Sequence, residues 1–149
     1  MNGPARSIST VTPMDTRQLR PALALSVWTV LVWTTRIRNI WTDDSLSTSG
    51  QLWRTAIAVV FTAFAAVTIG AWARARRAGG AAAPLAAWIR AFALWTMAVW
   101  VIRGVQIGVA DHGAAFKIVH TALAVVSIGL AWWADREVHR TPRSQPVDA

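Results

Sequence analysis

Arg36 and Arg103 stand inside apolar stretches, "WTVLVWTTRIRNIWTDD" from Trp28 and "WTMAVWVIRGVQIGVADH" from Trp95. A guanidinium is permanently charged, and its fork of N–H donors matches a phosphate or carboxylate. Held in hydrocarbon it is costly, and where it faces a bundle interior it marks a pathway or a binding site. Trp33 and Trp100 each precede their arginine by three residues. Indole and guanidinium then share a helix face, which permits a cation–π contact. Arg54 and His120 open the matching segments "RTAIAVV" and "HTALAVV". Arg36, Arg103, Arg54 and His120 would ring one region, with Trp33 and Trp100 as its apolar floor. The chemistry of that set is anion recognition, most simply of a lipid phosphate, through charge-assisted hydrogen bonds. A second reading stays open, in which each arginine snorkels separately to the headgroups. Arg36 lies only five residues, roughly 8 Å, short of Trp41.

Other chemistries lack their residues. There is no cysteine, hence no disulfide and no thiolate ligand. His112 falls in a loop and His139 in a tail, so His120 has no imidazole across the bundle for haem and too few companions for zinc. No Asp or Glu falls in the middle of an apolar stretch. That argues against a proton-coupled exporter and an intramembrane acid–base hydrolase. No nucleophile triad, Gly-rich phosphate loop or metal motif is present. No catalytic residue, cofactor or metal is expected. Asp44 and Asp111 read as loop caps that pair with Arg54 or Lys117 at about 0–1 kcal/mol.

The elements that carry these residues follow from composition. The chain has 149 residues, 54% of them hydrophobic and 15% charged, with ten tryptophans. Soluble domains carry about 25% charged residues, so this is a polytopic membrane protein of the all-α class. Residues 1–20 read as an N-terminal tail. A first helix over about 21–41 and a second over about 52–73 make one hairpin, residues 21–73. The stretch "RARRAGGAAAP" over 74–84 is a loop with Gly79 and Gly80 as breakers. Helices over about 85–110 and 115–134 make a second hairpin, residues 85–134, and 135–149 read as a C-terminal tail. A span needs about 20 residues. The first and third helices reach that length only with Arg36 and Arg103 included. Residues 22–35 also have the length of a signal-peptide core, but "TTRIRN" offers no small-residue cleavage pattern, so the segment reads as retained.

Net charge is +8. The arginines stand mostly at the ends of apolar runs, which speaks for headgroups rather than nucleic acid. Ten basic residues fall on the side of the tails and the 74–84 loop, and five on the other. The excess places both termini in the cytoplasm of a cell membrane. Trp72, Trp88, Trp132 and Trp133 then lie near the inner interface and Trp41 and Trp53 near the outer one. The Ala-, Arg- and Trp-rich composition with a single Lys points to a high-GC bacterium.

The two hairpins look like copies. Trp28/Trp95, Thr29/Thr96, Val32/Val99, Trp33/Trp100, Arg36/Arg103, Ile40/Ile107 and Asp44/Asp111 match at one spacing, and Thr55/Thr121 with Ala58/Ala124 match one residue closer. Each copy starts on the same side, so the four helices form two tandem hairpins in a parallel repeat. Gly104 and Gly108, in "GVQIG", form a small-xxx-small pattern that lets a helix approach closely, within the bundle or from another chain.

The run "RAFALWTMAVWVIRGVQIGVADHGAAF" resembles a segment of the small ergosterol-biosynthesis scaffold proteins through Arg90, Phe92, Trp95, Thr96, Arg103 and Phe116. It covers 27 residues and departs from that family in helix order, falling in the third helix rather than the second. The resemblance implies a four-helix membrane scaffold with no chemistry of its own. The expectation is therefore a non-enzymatic scaffold, anchor or accessory subunit. Its partners are membrane lipids and another membrane protein or a second copy. The alternative is a small transporter or an anion- or lipid-binding protein that uses the Arg/Trp pairs.

Overall fold

The computed structural model describes residues 16–44, 46–79 and 84–140. Among them the chain forms four helices and no strand: α1 Arg20–Trp41, α2 Thr48–Ala78, α3 Pro84–Val109 and α4 Ala114–His139. Residues 1–15 and 141–149 of the expected tails, and Gly80, lie outside the described residues.

Helix ends follow local chemistry. Pro21 stands in the first turn of α1, where its missing N–H costs nothing. The Ser47 hydroxyl accepts from the Gly50 N–H at 3.3 Å and starts α2 one turn before the expected residue 52. At its other end α2 continues through Arg74, Arg76 and Arg77, expected in a loop. Arginine is a good helix former, and cations in a last turn complement the dipole. The helix stops at Gly79, whose φ of 75° is left-handed and costly for any residue with a Cβ. Helix α4 runs past the expected residue 134, its last turn held by His139–Asp135 at 3.6 Å and Arg140–Glu137 at 3.2 Å.

Helix α1 packs on α2 and α4, α3 packs on α4, and α2 meets α3 more sparsely. This is a four-cornered bundle with α1 diagonal to α3. Small residues at the contacts let the helices close: Ala58, Ala65, Ala93 and Ala131 are fully buried. Ser26 and Thr96 are buried as well, and their hydroxyls donate back to the Ala22 and Phe92 carbonyls at 2.8 Å. Aromatic rings fill the middle. Trp33 stacks on Phe61 at 4.4 Å, Phe61 meets Trp95 at 6.0 Å, and Phe64 stacks on Phe92 at 5.2 Å.

The larger aliphatic residues are outside. Leu31, Val105, Val109, Ile118 and Val125 are all more than half exposed. In water so much apolar surface is a liability; against lipid tails, as apolar as leucine, it costs nothing. Three helices, α2, α3 and α4, are long and apolar enough to cross a membrane, with mean hydropathies of 2.1, 1.7 and 1.8. Helix α1 falls short of that apolarity because Arg36 and Arg38 lie in its last turns.

Burial recurs along the chain. Ala22, Leu25, Ser26, Thr29 and Trp33 are buried in α1, and so are the residues 67 positions later, Ile89, Phe92, Ala93, Thr96 and Trp100 in α3. In α2, Ala58, Phe61, Ala65 and Thr68 are buried, as are the residues 66 positions later, Ala124, Ser127, Ala131 and Ala134 in α4.

Candidate anion-binding site

A cavity of about 720 Å³ opens where the α1–α2 and α3–α4 connections meet. All four helices contribute a donor to its lining: Arg36 from α1, Arg54 from α2, Arg103 from α3 and His120 from α4. The reason is rotational. Arg36 stands three residues after Trp33 and Arg103 three after Trp100, both tryptophans being buried at 6% and 4% exposure. Arg54 precedes buried Ala58 by four residues, and His120 precedes buried Ala124 by four. Residues three or four apart share a helix face. Each donor therefore lies one turn beyond an interior anchor, on the anchor's side of its helix.

The four groups are partly buried. Among the described residues, none of Arg36, Arg54 and Arg103 forms a hydrogen bond or an ion pair; the His139–Asp135 and Arg140–Glu137 pairs lie at the opposite end of the bundle. Instead the like charges act on one another: Arg36 is within electrostatic reach of Arg103 and Arg54, and Arg103 of Arg54. Asp43 supplies a carboxylate to the same lining. Partly desolvated charges of one sign are unfavourable without a counter-charge, so the arrangement is electrostatically suited to an incoming anion.

His120 is oriented by its own helix. Its Nδ1 lies 2.9 Å from the Phe116 carbonyl, which can only accept, so Nδ1 carries the proton. Nε2 is then an acceptor in the neutral ring and a second donor in the imidazolium. Phe116 stacks on His120 at 3.9 Å and touches His112 at 4.5 Å. All three rings line the cavity.

Several expectations need correction. Trp100 is buried but does not line the cavity; Trp33 alone of the two indoles does. The described cation–π contacts are Arg76 over Trp72 and Arg136 over Trp132, both at 5.0 Å, and neither Arg36 nor Arg103 joins one. The Trp33 ring is already stacked on Phe61. Asp44 and Asp111 are exposed and pair with neither Arg54 nor Lys117; the Lys117 ammonium donates to the Gly108 carbonyl at 3.2 Å instead. A Cβ added at Gly104 or Gly108 would meet nothing within 4 Å, so no helix of this chain uses that face. Sequence reasoning missed His112 and Asp43 as lining residues. The signal for His112 was the four-residue spacing of His112, Phe116 and His120. Of the six residues that carry the scaffold-family resemblance, Arg103 and Phe116 line the cavity, and Phe92 is core.

No protein-family model, curated protein or solved structure matches this chain.

Proposed function

We propose that the protein crosses a cell membrane with all four helices and binds an anion in the cavity between its hairpin ends, without catalysing a reaction. One observation carries the binding reading: three guanidinium groups from three helices share one cavity with no partner among the described residues. The membrane reading is supported by three sufficiently apolar helices and by aliphatic residues placed outside an Ala/Ser/Thr interior. Helix α1 completes the set as a span because its two extra charges, Arg36 and Arg38, fall near its end, within snorkelling reach of the interface. The tandem-hairpin repeat is supported by equal burial at the spacings of 67 and 66 residues. The loop charges orient both termini to the cytoplasm and the cavity outward.

Inorganic pyrophosphate tests the binding reading on the purified protein. Added anion should raise the melting temperature of the wild type, and the R36Q/R103Q double variant should not respond. A wild-type melting temperature unchanged by pyrophosphate, inorganic phosphate and short-chain phospholipids alike would sink it. The scaffold reading keeps one favourable observation, the open Gly104/Gly108 face of α3, to which another membrane protein or a second copy could pack.

A further inference from the structure

The anion-binding reading leaves the kind of anion open, and the cavity's dimensions and lining narrow it. We infer that the ligand is a dianionic amphiphile: a phosphomonoester on an apolar chain, its phosphate held by Arg36, Arg54 and Arg103. This rests on the reading above that the cavity takes an anion.

Charge is the first constraint. Three guanidinium groups and one carboxylate, Asp43, line the cavity, which leaves a formal excess of two positive charges. A phosphomonoester carries about −1.5 to −2 at neutral pH, whereas a phosphodiester carries one charge whatever the pH. The monoester also presents three terminal oxygens, one for each guanidinium fork, with short charge-assisted contacts available to each.

Size is the second. At about 30 Å³ per water-sized atom, a cavity of about 720 Å³ has room for about two dozen non-hydrogen atoms. A bare phosphate has about five. The remaining wall is built for hydrocarbon: Val32, Trp33, Ile57 and Leu123 line it and are at least partly buried. An anion without a chain would leave that apolar wall against water, and a chain without a charge would leave three guanidinium groups unpaired. A ligand with both parts satisfies both walls, which is the usual composition of a small-molecule site.

Three probes separate the components. The purified protein is titrated at about pH 8, above the second phosphate pKa of ~6. The ligands are dihexanoyl phosphatidate, dihexanoyl phosphatidylglycerol and inorganic phosphate, with the melting temperature as readout. Phosphatidate should bind at least about tenfold tighter than either of the others, the gain of one charge-assisted contact or of a few buried methylenes. R54Q should reduce that preference over phosphatidylglycerol and leave helicity unchanged; R103Q serves if R54Q does not fold. Equal affinity for phosphatidylglycerol and phosphatidate would overturn the dianion requirement. Equal affinity for inorganic phosphate would overturn the chain requirement. In either case a pyrophosphate response leaves the anion-binding reading standing. No response to any probe or to pyrophosphate overturns both.

Discussion

Trp28 donates its indole N–H to the Ser127 hydroxyl at 2.9 Å, tying α1 to α4. At the spacings of 67 and 66 residues the matching positions are Trp95 and Phe61, between α3 and α2. There the rings meet at 6.0 Å, and the Trp95 N–H is buried with no partner among the described residues. The two junctions thus have one framework and different chemistry. Trp28→Phe and Trp95→Phe remove similar volume, but only the first removes a hydrogen bond. Trp28→Phe should therefore be the more destabilising by about 0.5–1.5 kcal/mol, read as the difference between the two unfolding free energies in one detergent. Equal losses would mean that the Trp28–Ser127 bond adds nothing beyond packing.

Removing one charge from the cavity should help the ligand-free protein. Arg36, Arg54 and Arg103 repel one another without a pairing carboxylate of their own. Arg103→Gln keeps much of the side-chain length and relieves part of that repulsion. Thermal unfolding without added anion should show a gain of about 0.5–1 kcal/mol, and the variant should respond more weakly to added anion at the same time. The cycle formed by R36Q, R103Q and R36Q/R103Q should be non-additive by at least about 0.5 kcal/mol, as expected for groups that share an environment. A coupling indistinguishable from zero would mean that each arginine snorkels alone.

The bundle was legible because its signals are long-range averages: apolar runs, Gly79 as a stop, Pro21 and Pro84 as starts. Arg36, Arg103, Arg54 and His120 were legible for a different reason. Each lies one helical turn from a residue that packing must bury, so the depth of Trp33, Trp100, Ala58 and Ala124 sets their direction. The failures concern pairwise contacts. The three-residue spacing puts Trp33 and Arg36 on one face, yet it cannot say that the Trp33 ring is taken by Phe61, a residue on another helix. The same holds for Asp44 and Asp111, whose loop neighbours depend on the fold of the turn. The end of α2 is not legible in the sequence because the polarity of "RARRAGG" suggests a loop, although arginines extend a helix readily and α2 runs to Ala78.

Topology is open to direct labelling, since the wild type contains no cysteine. Ser49 is exposed near the start of α2 and is a better site than Ser47, which caps that helix. A membrane-impermeant maleimide should label Ser49→Cys in intact cells. Arg140→Cys, beyond the end of α4, should react only after lysis. Labelling of the two sites with reversed accessibility would invert the orientation and turn the cavity towards the cytoplasm. Labelling of both sites in intact cells would mean that an even number of helices crosses between them, contrary to three spanning helices, α2, α3 and α4.

Gly104 and Gly108 distinguish a lipid-facing surface from a contact surface. Neither has a neighbour within 4 Å of the position a Cβ would take, so leucine at both places meets no clash within the bundle. Leucine is also the better helix former by roughly 0.5–1 kcal/mol per site. Gly104→Leu/Gly108→Leu should therefore melt at or above the wild-type temperature as an isolated chain. If α3 is an assembly face, the same double variant should lose its cross-linked dimer, or its co-purified partner, because leucine side chains hold an approaching helix apart. Unchanged assembly together with unchanged or improved stability would assign this face to lipid. A loss of stability in the isolated chain would show instead that the two glycines are packed within the bundle, contrary to the open space around them.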